Sequence, residues 1–436
     1  WASRLLSAPG LGCNARCGFR AVVDYGRLVE VSGIPFPPYN HGFLPASSDS
    51  PVTDTFAMPS PVCAKGKEAP NVLYSPYRIL KPLKRTGERG SGKFAPIAWE
   101  DLIKEVADGG TLFASLGDSR VYPGLRSYLS DEPIDPDAPE LGGKRNSFVF
   151  IGGRDQAGYK EFTDRFVRDA FGSINRISHT DICGLGFRMG NFALTEQKQV
   201  ELKADPLNAE YILVFGANIY EALKPGVTTY GSMLAERYAK GEVQLTIVDP
   251  RATNASAHAH RWLAVKPGKD GALAMGLIRW IIDNKAYDEP FLAAPGPEAA
   301  QKVRRTCHSN ASHLVVTDPS HPRCGRMLRY GDCVAGVDDK AGRAFAVLTE
   351  TGDVAPHDAA TSVRLDAGAM LTDREGKPVE VKTAFCILRE EAEKHSLADY
   401  AGICGIAEED IAAVAREFSS HGHKAAVCQY HGAGNY

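Results

Sequence analysis

An α/β layered fold preceded by a small β-rich domain is predicted by three features of this sequence. From Ile97 onward, short apolar strands alternate with stretches of helical periodicity, the pattern of a sheet covered by helices. Several of those strands run straight into glycines. Residues 1–95 differ in character, being rich in Gly and Pro and poor in helical periodicity.

The chain has 436 residues, 44% hydrophobic and 24% charged, which suits an ordinary globular protein of two or three domains. A net charge of -3 gives no electrostatic basis for binding nucleic acid or an anionic membrane, so no nucleic-acid partner is expected. No run approaches the roughly 18 apolar residues of a spanning helix. Trp1–Arg4 lacks the charged-then-apolar pattern of a leader, so any signal peptide is expected to lie outside this chain. Ten cysteines are too few for a disulfide scaffold at this length.

In the β-rich region, Val22–Val31 reads as a short hairpin turning at Tyr25-Gly26, and residues 33–61 as a Pro- and Ser-rich loop. This region carries Cys13-Asn-Ala-Arg-Cys17, followed downstream by Cys63-Ala-Lys65-Gly66. Structural zinc sites pair cysteines through two to four residues and then repeat the pair. Here no second pair follows, so an iron–sulfur cluster fits better. A four-iron cluster takes four ligands, and the place for the remaining one, three residues before Cys13, is Gly10. That leaves open a three-iron cluster, a substitute ligand such as Ser7, or water.

Trp99–Val106 is amphipathic, and Asp131–Glu140 is an acidic, Pro-rich loop expected on the surface. Four strand-to-loop junctions follow: Phe148–Arg154, Tyr211–Asn218, Leu245–Arg251 and Lys424–Gly434. Open parallel sheets bind ligands beyond the carboxyl ends of their strands. Glycine there lets backbone amides approach a phosphate. No complete G-x-G-x-x-G follows any of them, which argues against an ordinary NAD site and leaves another nucleotide-containing ligand or plain tight turns. Leu273, Leu277, Ile278, Ile281 and Ile282 form one apolar helical face, and Ile411, Val414, Ala415 and Phe418 another; both are expected in the core.

Cys183 lies in His179-Thr-Asp-Ile-Cys183-Gly-Leu-Gly-Phe-Arg188-Met-Gly190. Flanking glycines admit a bulky ligand, and Arg188 nearby would favour the thiolate over the thiol. His179 reads either as a donor to such a ligand or as a histidine packed beneath the loop. Cys307, Cys324, Cys333, Cys386, Cys404 and Cys428 have no cluster spacing and are expected as buried thiols, with a Cys307–Cys324 bridge open if the protein is exported.

The order of these segments resembles a known family. Cys63-Ala-Lys65-Gly66 is followed by Pro82-Leu-Lys-Arg85 with Gly87 and Arg89-Gly90, then Trp99-Glu100. Val214-Phe-Gly-Ala-Asn218, Val248-Asp-Pro-Arg-Ala-Thr253 and Lys266-Pro-Gly-Lys-Asp-Gly-Ala-Leu273 continue it. The set is similar to the catalytic subunits of the molybdopterin oxidoreductases, the dimethyl-sulfoxide-reductase superfamily. Within that superfamily the stretches Gly152–Asp155, Phe171–Asn175, His179–Gly190, Ser309–Val315 and Glu417–Gly422 most resemble tetrathionate reductase A subunits.

The resemblance implies roles at matching positions. Cys13, Cys17 and Cys63 would hold a 4Fe-4S or 3Fe-4S cluster, and Lys65 would stand between cluster and pterin. Cys183 would be the protein ligand to molybdenum, or tungsten, in a bis-molybdopterin guanine dinucleotide cofactor, with His179 and Arg188 beside it. Gly216, Asn218, Glu221, Asp249, Arg251, Gly268 and Asp270 would hold one guanosine dinucleotide tail. Asp249 would bind guanine's amino and imino groups, and Arg251 the pyrophosphate; the plainer reading of Asp249 and Asp270 is turn formation or helix capping. His431 and Gly432 would begin the loop for the second pterin.

The implied architecture is an iron–sulfur domain at 1–95, then two interleaved Rossmann-like α/β domains. One comprises residues 96–185 with 376–436 and the other residues 186–375, with Cys183 near their junction; the family's C-terminal β-barrel domain lies beyond this chain. The implied activity is two-electron reduction of tetrathionate to thiosulfate in anaerobic respiration, carried out in the periplasm. The partners would be a ferredoxin-like iron–sulfur subunit plus a membrane quinol-oxidising subunit, with a small sulfur oxyanion as substrate. Arsenate reduction, arsenite oxidation and thiosulfate or polysulfide reduction are alternatives within the superfamily. A non-catalytic electron-transfer scaffold is the alternative of another class.

Overall fold

The computed structural model describes residues 2–7, 18–33, 62–153, 158–179, 183–195, 197–199, 201–221, 230–430 and 432–433. Cys13, Cys17, Gly10 and His431 lie outside the described residues. The chain divides into two compact units: residues 1–202, 217–239 and 430–435 form the first, and residues 203–216, 240–429 and 436 the second. Among the described residues no helix is long and apolar enough to cross a membrane.

In the first unit, β1 (Ala2–Ser7), β2 (Gly18–Asp24) and β3 (Arg27–Gly33) make an antiparallel sheet. The expected hairpin is β2–β3, and its two turn residues Tyr25 and Gly26 both have positive φ (44° and 77°). Positive φ at both central positions matches the twist of the flanking strands. A short helix α1 (Ala64–Lys67) follows, then α2 (Trp99–Asp108) over the expected amphipathic stretch.

The apolar side of α2 is open. Trp99 and Ile103 are 62% and 63% exposed, and Ile103 and Val106 edge a groove of about 510 Å³ completed by Leu125, Leu129, Phe166 and Phe171. The acidic loop at 131–140 is exposed, as expected, with Asp131 and Glu132 paired to Arg145 and Lys144. Next comes a small parallel pair, β4 (Phe150–Ile151) and β5 (Arg176–Ile177), connected through α3 (Tyr159–Asp164). Arg176, its side chain almost wholly buried, ties the connection down by pairing with Asp164 at 2.7 Å. Helix α4 (Leu185–Leu194) ends this stretch.

The second unit begins with β6 (Tyr211–Phe215), β7 (Gln244–Val248), β8 (Arg261–Leu263) and α5 (Asp270–Asp283). It continues through β9 (Leu314–Val316), β10 (Gly368–Thr372), β11 (Pro378–Thr383) and α6 (Ala384–Glu393). Helices α7 (Leu397–Cys404) and α8 (Glu408–Ser420) lead to the last strand, β12 (Ala425–Gln429). Strands β8-β7-β6-β12 form one sheet, parallel throughout. All five residues of β6 are buried, as a strand covered on both faces requires. The sheet joins residues 425–429 to 211–215, although the sequence reading assigns these segments to different domains.

Both expected helical faces pack inward, though Ile278, Ile281, Ile282 and Phe418 are only half-buried. Leu273 and Leu277 of α5 and Ile411, Val414 and Ala415 of α8 are buried. Gly276 lets the helices close together: a Cβ there would meet Tyr400 Cβ at 3.2 Å and Ile411 Cγ2 at 3.5 Å. Arg261 of β8 reaches α8 twice, pairing with Asp410 at 3.2 Å and Glu417 at 2.7 Å. Beneath that pair the Tyr211 hydroxyl bonds Thr246 at 2.7 Å, and burial pushes its pKa up to about 12. A second core layer gathers on the antiparallel sheet β9-β11-β10, built on Leu314, Val316, Leu328, Val379 and Val381.

Cys386, Cys404 and Cys428 are buried thiols as expected, whereas Cys307 and Cys324 are exposed and unbonded. Those two sit in turns, where no strand or helix carries them inward.

Candidate functional site

Strand order in the parallel sheet reverses between β6 and β12: the chain builds β7 and β8 on one side of β6 and returns to add β12 on the other. Such a reversal opens a crevice at the carboxyl ends of the two strands. Gly216, just past β6, has φ +53°, and its amide donates to the Val248 carbonyl at 2.9 Å.

Asp249 follows β7. Its amide donates to Leu263, and its Oδ1 accepts the Arg251 amide at 2.9 Å, a tight turn that presents Arg251 outward. The Trp262 indole donates to the Asp249 carbonyl at 2.8 Å and braces the turn. Among the described residues the exposed Arg251 guanidinium makes no ion pair. Gly268, at φ +72°, sits in the turn that opens α5, and Asp270 occupies the first turn of that helix. Burial raises the Asp270 carboxyl above its ordinary range, and the nearby Asp249 charge adds to the shift. So the plainer reading holds for one Asp249 oxygen, and Asp270 is no side-chain cap.

In the first unit, the Cys183 amide donates to the His179 carbonyl at 2.8 Å, placing a half-buried thiol just before α4. His179 Nδ1 is buried and has no hydrogen-bond partner among the described residues. Arg188 turns toward Glu201, with Nη2 3.5 Å from its carboxylate. The positive charge expected to act on Cys183 is therefore shared with a carboxylate that the sequence reading did not single out. Phe187 of α4 packs against Tyr430, with ring centroids 5.8 Å apart.

Asn218 donates to Glu221 at 2.6 Å while its Oδ1 stays buried without a partner among the described residues. Cys63 stands at the amino end of α1, its carbonyl accepting the Lys67 amide at 3.1 Å, and Lys65 projects as an exposed side chain. Gly66 is held close beneath: a Cβ there would come within 2.4 Å of Val62 Cγ1. Trp262 and Tyr430 are the supporting residues that sequence reasoning missed; the one available signal was an aromatic beside a strand terminus.

The sequence profile of the molybdopterin oxidoreductases matches residues 157–427, more than half of the chain. The chain belongs to the molybdopterin oxidoreductase family. It is 35% identical to the tetrathionate reductase A subunit of Salmonella typhimurium, over 97% of this chain and 42% of that protein. It is 31% identical to the selenate reductase A subunit of Mesobacillus selenatarsenatis, over 98% of this chain and 44% of that protein. The tetrathionate reductase A subunit of Archaeoglobus fulgidus is 32% identical over 99% of this chain and 43% of its own length. The chain thus spans less than half the length of these relatives. Among solved structures, acetylene hydratase from Pelobacter acetylenicus shares the fold, with a TM-score of 0.50 at 17% identity over 97% of this chain and 40% of that one.

Family membership implies a molybdenum–pterin cofactor, and the residues present fit one. Cys183 offers a soft thiolate donor. His179 Nδ1 and Asn218 Oδ1 are buried polar atoms lacking partners among the described residues, and such atoms ordinarily find one. The Gly216 and Gly268 turns and the unpaired Arg251 suit a pyrophosphate.

Proposed function

We propose that this chain is part of the catalytic subunit of a molybdopterin-dependent reductase that converts tetrathionate to thiosulfate. The observation that carries the proposal is the half-buried Cys183 thiol, whose backbone amide donates to the carbonyl of His179, a residue with a buried Nδ1 that has no partner among the described residues. The 35% and 32% identities to tetrathionate reductase A subunits support the substrate. The 31% identity to a selenate reductase A subunit favours selenate as a second reading. Arsenate and thiosulfate have weaker support, from relatives at 25% and 26%. A scaffold without chemistry would have no use for a thiol at the foot of a glycine-flanked helix.

When bound, the molybdenum–pterin group supplies a two-electron redox centre. Cys183 would hold it, positioned by its own amide bond to His179. His179 Nδ1 would donate to an oxygen of the substrate or cofactor. The central S–S bond of tetrathionate breaks on uptake of two electrons and gives two thiosulfate dianions, with no net proton consumed. His179 therefore orients the dianion and no general acid is needed.

In the guanine dinucleotide form of the cofactor, Arg251 and the Gly216 and Gly268 turns would receive pyrophosphate. The donor edge of guanine would lie on Asp249 and relieve its repulsion with Asp270. Glu221 would fix Asn218, whose Oδ1 would then be placed to accept from the cofactor. The second pterin would meet His431 and Gly432.

The same proposal includes an iron–sulfur cluster on Cys13, Cys17 and Cys63, with Lys65 on the electron path. It places the enzyme in the periplasm with a ferredoxin-like partner fed by a membrane quinol-oxidising subunit. Relatives named as A subunits support the presence of further subunits. Metal and pterin analysis of the intact protein, with turnover on tetrathionate, selenate and arsenate side by side, tests the reading. Tetrathionate is expected to turn over fastest; absence of molybdenum, tungsten and pterin ends the proposal.

A further inference from the structure

Beside the antiparallel sheet of the second unit lies a cavity of about 460 Å³ that shares no residue with the site above. Three arginines from separate segments line it. Arg329 precedes the turn Tyr330–Asp332, Arg343 ends the short helix Asp339–Arg343, and Arg374 lies in the turn joining β10 to β11. Arg329 is fixed: its guanidinium lies 3.9 Å over the Phe345 ring and donates to the Arg343 carbonyl at 2.5 Å. The Arg374 amide donates to the Asp332 carbonyl at 2.8 Å, which anchors its turn to the cavity wall.

Three aspartates line the same cavity, yet among the described residues none of these arginines makes an ion pair. Each carboxylate is directed elsewhere or exposed. Asp332 is neutralised by Arg323 and also accepts the Arg329 amide at 2.8 Å. Asp338 caps the short helix, accepting the Ala341 amide at 2.7 Å. Asp339 is an exposed residue in the first turn. Glycines shape the floor: a Cβ on Gly331 would meet the Gly342 Cα at 2.9 Å, so only glycine permits this close approach.

Guanidinium groups without ion pairs in a concave site, with the nearby carboxylates engaged elsewhere or open to solvent, present donor forks for an oxyanion. We propose that this cavity binds a small divalent oxyanion of the sulfate–thiosulfate class, gripped by Arg343 and Arg374 above the fixed Arg329. The site deepens no step of the proposed reduction and stands independently of it.

Isothermal titration of the purified full chain with sodium thiosulfate and sodium sulfate, against sodium chloride at matched ionic strength, tests this. Saturable binding of one dianion is expected, retained in Cys183→Ala and weakened at least tenfold in Arg343→Gln/Arg374→Gln. Both of those arginines are exposed, so the double variant is expected to melt with the parent in anion-free buffer. Its melting temperature is also expected to lose the rise that thiosulfate gives the parent. Absence of saturable heat above the chloride control, or equal affinity in the double variant, overturns the proposal.

Discussion

Asp249 and Asp270, from the ends of β7 and the start of α5, come close enough at the sheet's carboxyl edge for one charge to disfavour the other. Burial is the larger cause of the raised Asp270 carboxyl, Asp249 adds to it, and a bond from the residue's own amide offsets part of the shift. A carboxyl raised in the fold contributes stability that is complete below its unfolded pKa, about 3.9, and is lost as pH rises through the higher folded value. Asp270→Asn is therefore expected to melt above the parent at about pH 7, with the gap closing near about pH 3. Thermal melts of ligand-free protein at both values check this; a gap that does not change with pH would contradict it.

Gly276 offers a packing test. A methyl at this position would stand 3.2 Å from Tyr400 Cβ, which leaves no space for a branched side chain. Gly276→Val is expected to cost about 1–3 kcal/mol in equilibrium denaturation. Gly276→Ala should come out near neutral, because a gain in helix propensity of about 1 kcal/mol offsets the squeeze.

The cluster of Arg261, Glu417, Tyr211 and Thr246 ties α8 to the sheet through side chains that are mostly buried. Arg261→Gln is expected to cost about 2 kcal/mol, since charged groups lose their partner, and Tyr211→Phe about 1 kcal/mol. Urea titrations of the two variants and their double form a cycle. Strict additivity would mean the two contacts do not communicate.

Tyr25 holds a positive φ that suits asparagine better. Tyr25→Asn, which keeps the turn and removes an exposed ring, is expected to stabilise the hairpin by about 0.5 kcal/mol. Protection of the Asp24 and Arg27 amides, the pair that flanks the turn, in hydrogen exchange is the readout, and faster exchange in the variant would refute the turn assignment.

Cys183→Ala is expected to bring tetrathionate turnover to background while the melting temperature of the metal-free protein stays with the parent. Loss of activity accompanied by loss of fold would make the residue structural.

Much of the second unit was legible in the sequence. Strands 211–215 and 244–248 read as largely apolar runs because a parallel sheet buries both faces of its central strands, whereas 425–429 at the sheet's edge is only partly buried. The glycines and Asp249 at their ends were legible as tight turns. Strand order was not, because nothing in residues 425–429 names 211–215 as their neighbour. In the antiparallel layer Leu314–Val316 is too short to display an alternating pattern, whereas Gly368–Thr372 and Pro378–Thr383 do alternate and were a signal the sequence reading passed over. At the site, Cys183 was visible through its glycines, whereas the Glu201 partner of Arg188 and the Trp262 brace on Asp249 depend on tertiary neighbours.

The pairing of β6 with β12 has a consequence for biogenesis. These strands are separated by roughly two hundred residues, so the sheet's central strand has no second neighbour until nearly all of the second unit has left the ribosome. Until then Tyr211–Phe215, a wholly apolar strand, presents an unpaired edge. A nascent chain arrested before Ala425 is thus the form of this protein most exposed to aggregation and most dependent on chaperones.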